Sequence, residues 1–184
     1  MSIRIVYETH STTTDNEAGI ATGWRPGVLS PAGRRQARQL GERRRDDGIA
    51  AVFTSDLHRA VETARLAFEG SALPIHHDPR LRECNYGDLN GCPQATLAPV
   101  RARHVDEPFP NGQSYRDVLV ATEDFLRGLA AGWDGTRVLV IAHSANRWAL
   151  ESLLAGARLE AVVVAASHWR PGWEYTLPTH PGRS

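Results

Sequence analysis

The chain is short of several features that would direct the reading elsewhere. Among 184 residues there are only two cysteines, Cys84 and Cys92, and neither sits in a pattern that resembles a disulfide framework or a zinc site. Free thiols of this kind fit a cytoplasmic protein. No apolar run approaches the ~20 residues that a membrane span requires. The N-terminus lacks the long apolar stretch of a secretory signal. Positive and negative side chains balance at 21 each, which argues against bulk electrostatic binding of nucleic acid or of a membrane surface. The basic residues are arginines, and the densest run, Arg43-Arg44-Arg45, reads as a solvated helix end before Asp46-Asp47. His76-His77 has no partner ligands at useful spacing, so no metal is expected. Internal repeats and low-complexity tracts are missing too.

What is present is ordinary globular material, 41% hydrophobic and 23% charged, enough for one domain over residues 1–184 with a full core. Ile3–Tyr7 reads as a buried strand, followed by a long loop rich in Thr, Gly and Pro. Ser30-Pro31 supplies an N-cap and a first-turn proline for a helix ending near Asp47-Gly48. Ile49–Thr54 is a strand, Ala60–Phe68 a helix and Leu73–His76 a short strand. Residues 77–112 hold five prolines and read as an irregular excursion covering a site. Gln113-Ser114 opens a helix to about Ala131. Arg137–Ala142 is a continuous apolar strand, and Arg147–Leu154 is helical. Glu160–Ala166 and Trp173–Leu177 read as the last strands, the aromatic end forming a sheet edge or an interface. This alternation predicts an α/β fold of three layers, a mostly parallel central sheet with helices on both faces.

In such a sheet the carboxyl ends of the strands share one edge, where ligands bind. The first strand leads to His10 and to four hydroxyl residues, Ser11 to Thr14. The second leads to Arg59, and the Arg137–Ala142 strand leads to His143. Two histidines and an arginine gathered there make a pocket for a phosphate or carboxylate. Arginine offers a rigid fork to such anions, and a neutral histidine can attack phosphorus. Glu83, in the covering segment, supplies an acid for the leaving group.

These residues fall in motifs that resemble those of the histidine phosphatase superfamily, the phosphoglycerate-mutase-like proteins. His10, Thr13 and Asn16 match the opening motif, Arg-His-Gly-Glu-Thr then two residues then Asn. Gly23-Trp24, Leu29-Ser30, Gly33 and Ala37 match the continuation of that motif in the mutase branch. Ser55, Leu57, Arg59, Ala60, Thr63 and Ala64 match the second motif. Leu81, Glu83, Gly87 and Gly91 match the third, Pro110 to Ser114 the fourth, and Ala142-His143 the fifth. The resemblance implies a phosphohistidine on His10, clamping of the phosphoryl oxygens by Arg59 and His143, and general acid–base work by Glu83. It implies no metal and no organic cofactor. The expected phosphate and substrate contacts are Thr9, Ser11, Thr13, Asn16, Trp24, Ser144 and Arg147. Thr13 and Asn16 either hold the loop through side-chain-to-backbone bonds or touch ligand, and Trp24 either anchors the loop or contacts substrate.

Three positions depart from the pattern. Thr9 stands where the motif has arginine, Ser11 where it has glycine, and Ser144 where a glycine comes after the second histidine. Threonine can donate one neutral hydrogen bond but no charge. Arg25, Arg82 and Arg147 are candidates to replace the lost cation, Arg147 foremost because it follows the His143 turn. The resulting expectation is a phosphatase acting on a small phosphorylated metabolite, as a monomer or homodimer. The alternatives are a catalytically weak or repurposed relative that binds a phosphorylated or carboxylate ligand and, less favoured, a phosphomutase.

Overall fold

The computed structural model describes residues 1–179. In chain order the elements are β1 (Ser2–Thr9), α1 (Thr14–Glu17), β2 (Ile20–Ala21), α2 (Pro31–Arg44), β3 (Ala51–Thr54), α3 (His58–Ala67), β4 (Ile75–His77), β5 (Cys92–Pro93), α4 (Gln94–Leu97), α5 (Tyr115–Gly132), β6 (Arg137–Ala142), α6 (Ser144–Ala155), α7 (Leu159–Val164) and β7 (Trp173–Pro178). The main sheet runs β4-β3-β6-β1-β7. Its first four strands are parallel, and β7 joins antiparallel at the edge, Tyr7 opposite Trp173. Strands β2 and β5 pair separately.

The alternation of side chains along each strand divides the core into two layers. Ile3, Ile5 and Tyr7 of β1, with Val138, Val140 and Ala142 of β6, pack against Phe125, Leu126 and Leu129 of α5 and Leu150 of α6. Val6, Leu139 and Ile141 face the other way, onto Leu40 of α2 and Ala64 and Ala67 of α3. The sheet is therefore covered on both faces, as its continuous apolar strands require. The covering segment adds a satellite cluster in which Tyr86, Leu97, Val105 and Phe109 meet Tyr115 and Trp148.

One expected strand is a helix. The β-branched run Val162-Val163-Val164 predicts an extended Glu160–Ala166, but residues 159–164 are helical. The decisive spacing is Leu159 to Val163, one helical turn apart, which buries both side chains against the cluster holding Trp148. Tertiary burial outweighs the small helix penalty of valine. Strand boundaries also differ slightly, with β3 beginning at Ala51 and β4 covering Ile75–His77. No helix among the described residues is long and apolar enough to cross a membrane.

Candidate active site

Because β1, β3 and β6 run parallel, their carboxyl ends deliver His10, the Ser55–Arg59 turn and His143 to one edge of the sheet. The His10 N–H donates to Ala142 O at 2.9 Å, which fixes the two loops side by side and leaves the imidazole centroids 5.1 Å apart. His10 Nδ1 lies 2.8 Å from Ser11 O. A carbonyl can only accept, so Nδ1 carries the proton and Nε2 keeps its lone pair.

His143 is fully buried and is the N-cap of α6, its N–H donating to Asn146 Oδ1 at 3.0 Å. Tyr7 Oη donates to its carbonyl. Its Nε2 is 2.6 Å from Ser55 Oγ, which already accepts from the Leu57 N–H. Its Nδ1 is buried and has no hydrogen-bond partner among the described residues. Arg59 is held by two backbone carbonyls, Gly23 O at 2.8 Å and Arg25 O at 3.2 Å. Gly23 has a positive φ of 58°, and a Cβ there would meet Asn90 Oδ1 at 1.9 Å, so the loop that cradles Arg59 requires glycine.

Glu83 is buried; Oε1 accepts from the Cys84 N–H at 2.7 Å. Burial raises its pKa above the usual carboxylate range despite that bond and the nearby Arg59 and Arg101 cations. His10, Arg59 and Glu83 line one pocket of about 80 Å³, together with Asn16, Ser144 and residues that the sequence reading missed, among them Thr22, Tyr86, Gln94, Arg101 and Trp148. Arg101 Nη2 donates to Gln94 Oε1 at 2.9 Å. It lies in the irregular covering segment, where no periodicity marks a side chain as inward-facing. Asn146 was also missed, although a polar residue three positions after an N-cap is a capping-box signal.

The other expected contacts divide. Thr9 and Ser144 border the cavities around His10, as does Asn16. Thr13 is fully buried and caps α1, its Oγ1 accepting from the Asn16 N–H while Asn16 Oδ1 accepts from the Thr13 N–H, both at 3.0 Å. It holds the loop. The Ser11 N–H donates to Thr63 Oγ1 at 3.1 Å, tying the loop to α3. Trp24 anchors the covering segment, with Nε1 donating to Glu83 O at 2.7 Å and Arg82 over its ring at 4.7 Å. Of the candidate replacement cations, Arg82 is bound to Asp56 at 2.7 Å. Arg25 lies against Gly91, where a Cβ would meet its Nη1 at 2.1 Å. Arg147 lines a cavity that also touches His10. His76 and His77 are exposed, and no cluster of metal-ligating side chains occurs among the described residues.

A sequence profile described as the histidine phosphatase superfamily (branch 1) matches residues 9–165. The chain belongs to that family. A 2,3-bisphosphoglycerate-dependent phosphoglycerate mutase of Methylobacterium sp. (strain 4-46) is 32% identical over 173 residues, covering 86% of this chain and 83% of the mutase. An uncharacterized phosphatase of Bacillus subtilis (strain 168), PhoE, is 33% identical over 131 residues, covering 70% of this chain and 65% of its own. Among solved structures, YhfR of Bacillus stearothermophilus has a TM-score of 0.81 at 25% identity, over 92% of this chain and 88% of that one. A mycobacterial glucosyl-3-phosphoglycerate phosphatase bound to VO3 has a TM-score of 0.79 at 26% identity, over 89% and 87%. The family thus joins this chain to both phosphatases and mutases on a shared phosphoglycerate-mutase-like α/β fold.

Burial keeps both site histidines neutral. It lowers the His10 pKa to about 3, with the Arg59 cation contributing further. It lowers that of His143 well below the ordinary value, with Arg59 and His10 adding to the effect. An unfolded histidine titrates near ~6.5. Below that pH the unfolded chain binds more protons than the folded one, so stability is lost as pH falls from about 6.5 toward the folded-state values. Urea melts between those limits are expected to lose up to roughly 1.4 kcal/mol per pH unit for each histidine, and His10→Ala should flatten the slope. An unchanged slope in the variant would mean that His10 is not held neutral.

Proposed function

We propose that the protein is a phosphatase that hydrolyses a small phosphomonoester through a phosphohistidine on His10. The observation that carries the reading is the fixed tautomer of His10: Nδ1 donates to Ser11 O, so Nε2 keeps its lone pair in a pocket shared with Arg59 and with Glu83, whose pKa burial raises. In the first step Nε2 attacks phosphorus and the bond from phosphorus to the ester oxygen breaks. Glu83 gives its proton to that oxygen, and the alcohol leaves. In the second step the Glu83 carboxylate takes a proton from water, the hydroxyl attacks phosphorus, and the N–P bond breaks to return neutral His10 and phosphate. Arg59 and His143 hold the phosphoryl oxygens while charge shifts onto them. The raised pKa of Glu83 suits this exchange, since a group that first gives and then takes a proton works best near the operating pH. It also places the alkaline limb of the activity profile above the ordinary carboxylate range.

Hydrolysis is favoured over phosphoryl transfer to a second alcohol because His10 borders three cavities rather than one closed chamber, which admits water to the phosphohistidine. The test is to mix enzyme with a panel of small phosphomonoesters carrying labelled phosphate and to quench in alkaline denaturant, where phosphohistidine survives. Label on the peptide containing His10, chased into inorganic phosphate within one turnover, is the expected result. A folded protein that takes no label and releases no phosphate would instead be a ligand-binding member of the family, the reading that Thr9 alone would favour.

A further inference from the structure

The pocket around Glu83 is lined by two cations, Arg59 and Arg101, and neither of them lines the cavity that Thr9 borders. Arg59 already gives two of its donor groups to the carbonyls of Gly23 and Arg25, and both histidines are neutral. In the neighbouring cavity, which also touches His10, position 9 contributes a threonine. The register of the sheet shows what stands next to it. Thr9 pairs with Ala142, and Ala142 leads through His143 directly into α6, whose first turn carries Arg147. Thr9, His10, Asn16, Ser144 and Arg147 line one cavity of about 320 Å³, and Asn16 and Ser144 also border the pocket of Arg59 and Glu83. The two spaces meet at His10.

Arg147 is free to serve that cavity. Arg43, Arg44, Arg80, Arg82 and Arg137 are each paired with a carboxylate, whereas Arg147 has none within 4.0 Å among the described residues. Its helical neighbour Glu151 accepts instead from Tyr175 Oη at 2.6 Å. The Arg147 guanidinium carbon lies 5.0 Å from the centroid of the Trp173 ring, so an aromatic face steadies the guanidinium while leaving its N–H donors unpaired with acid.

We propose that Arg147 binds the phosphoryl group from the cavity side of His10 and supplies from α6 the charge that position 9 of β1 does not, with Ser144 and Asn16 as its neutral partners. The cation of this site has changed strand: a side chain from the end of β1 and one from the first turn after β6 reach the same space, so either can fill the role. The proposal rests on the phosphohistidine reading, but it concerns binding of the phosphoryl dianion and can be tested apart from turnover.

The experiment compares wild type, Arg147→Ala, Arg147→Lys and the double variant Thr9→Arg/Arg147→Ala. The readouts are kcat/KM and the thermal shift produced by inorganic phosphate. Arg147→Ala should lower kcat/KM by ~10²–10³-fold, the usual loss for one preorganised donor, and weaken phosphate binding at least tenfold. Arg147→Lys should recover part of both, since it keeps the charge but not the fork. The double variant should regain at least tenfold over Arg147→Ala, because it returns a cation to the same cavity from the other strand. Phosphate binding equal in wild type and Arg147→Ala would overturn the proposal, whether or not the protein turns over a substrate. So would a double variant that folds and is no better than Arg147→Ala. Undiminished phosphate binding together with the absence of any phosphohistidine in wild type would count against the phosphatase reading as well. Weakened binding in Arg147→Ala with no phosphohistidine would support Arg147 and reject only the catalytic step.

Discussion

If the proposed phosphohistidine forms, replacing His10 by alanine is expected to abolish phosphate release, by on the order of 10⁴-fold or more, since the change removes the covalent nucleophile and disables the whole reacting unit at once. The size of the effect follows from the geometry. Arg59, Glu83 and His143 can orient and polarise a phosphate ester, but only His10 offers an unprotonated nitrogen fixed by a backbone carbonyl. The fold should survive, because the one side-chain hydrogen bond lost is to the adjacent residue and the His10 backbone N–H still bonds Ala142 O at 2.9 Å. A steady-state assay alongside a melting curve is sufficient. Residual turnover within tenfold of wild type, from a folded variant, would remove His10 from the role of nucleophile and leave direct attack by water as the chemistry.

The second large effect concerns a residue without a side chain. Gly33 lies in the first turn of α2, and a Cβ there would meet Thr12 O at 1.8 Å and Thr12 C at 2.9 Å. Backbone cannot swing aside as a flexible side chain can. Thr12 O also accepts the Ser30 N–H at 3.1 Å, so the N-cap of the helix and the loop that carries His10 are joined at this one carbonyl. Gly33→Ala is therefore expected to lose about 3 kcal/mol, the upper part of the range for overpacking, equivalent to a fall of roughly 6–12 °C in Tm for a chain of this size. Activity should fall with it, since Thr12 is two residues from His10. Gly132→Ala is the control: nothing lies within 4 Å of the added Cβ, it ends a helix, and it should be neutral or slightly stabilising. Equal melting temperatures for the two variants would show that the close approach of α2 to Thr12 is not needed for stability.

Much of this arrangement is legible in the residues alone. The apolar runs at Ile3–Tyr7 and Arg137–Ala142 are continuous because both faces of the sheet are covered, and the helical crossovers that cover them also make β1, β3 and β6 parallel and gather His10, Arg59 and His143 at one edge. Ser30 and Ser114 announce their helices because an N-cap oxygen meets an amide three residues on, as both do here. What was illegible depends on partners distant in sequence. Strands β2 and β5 are two residues each and exist only by pairing Ile20 with Pro93 and Ala21 with Cys92. The inward placement of Arg101 is set by packing in the covering segment, which has no period. Val162–Val164 misled because valine favours strands, whereas the contact that decides the local structure is Leu159 and Val163 against the Trp148 cluster. For Thr13 and Trp24 the sequence left two roles open, and in the folded chain both serve as anchors.

The covering segment is pinched at its base. The Gln113 N–H donates to Asn85 O at 2.8 Å and the Asp88 N–H to Pro110 O at 3.0 Å. Gly87, at φ +55°, comes so near that a Cβ would meet Pro110 O at 2.0 Å. The residues between leave the body and return to it at almost the same point. Chain length enters the entropy of such a closed loop only logarithmically, about 0.6 kcal/mol for each doubling. Length can therefore be gained or lost there while the sheet beneath feels little of it. In evolutionary terms the stem is a socket. Descendants of one body can exchange this piece, provided each new piece brings apolar residues to seat where Leu97, Val105 and Phe109 now meet Trp148. Lineages that keep the same histidines can then diverge in what they act on without first having to rebuild the fold.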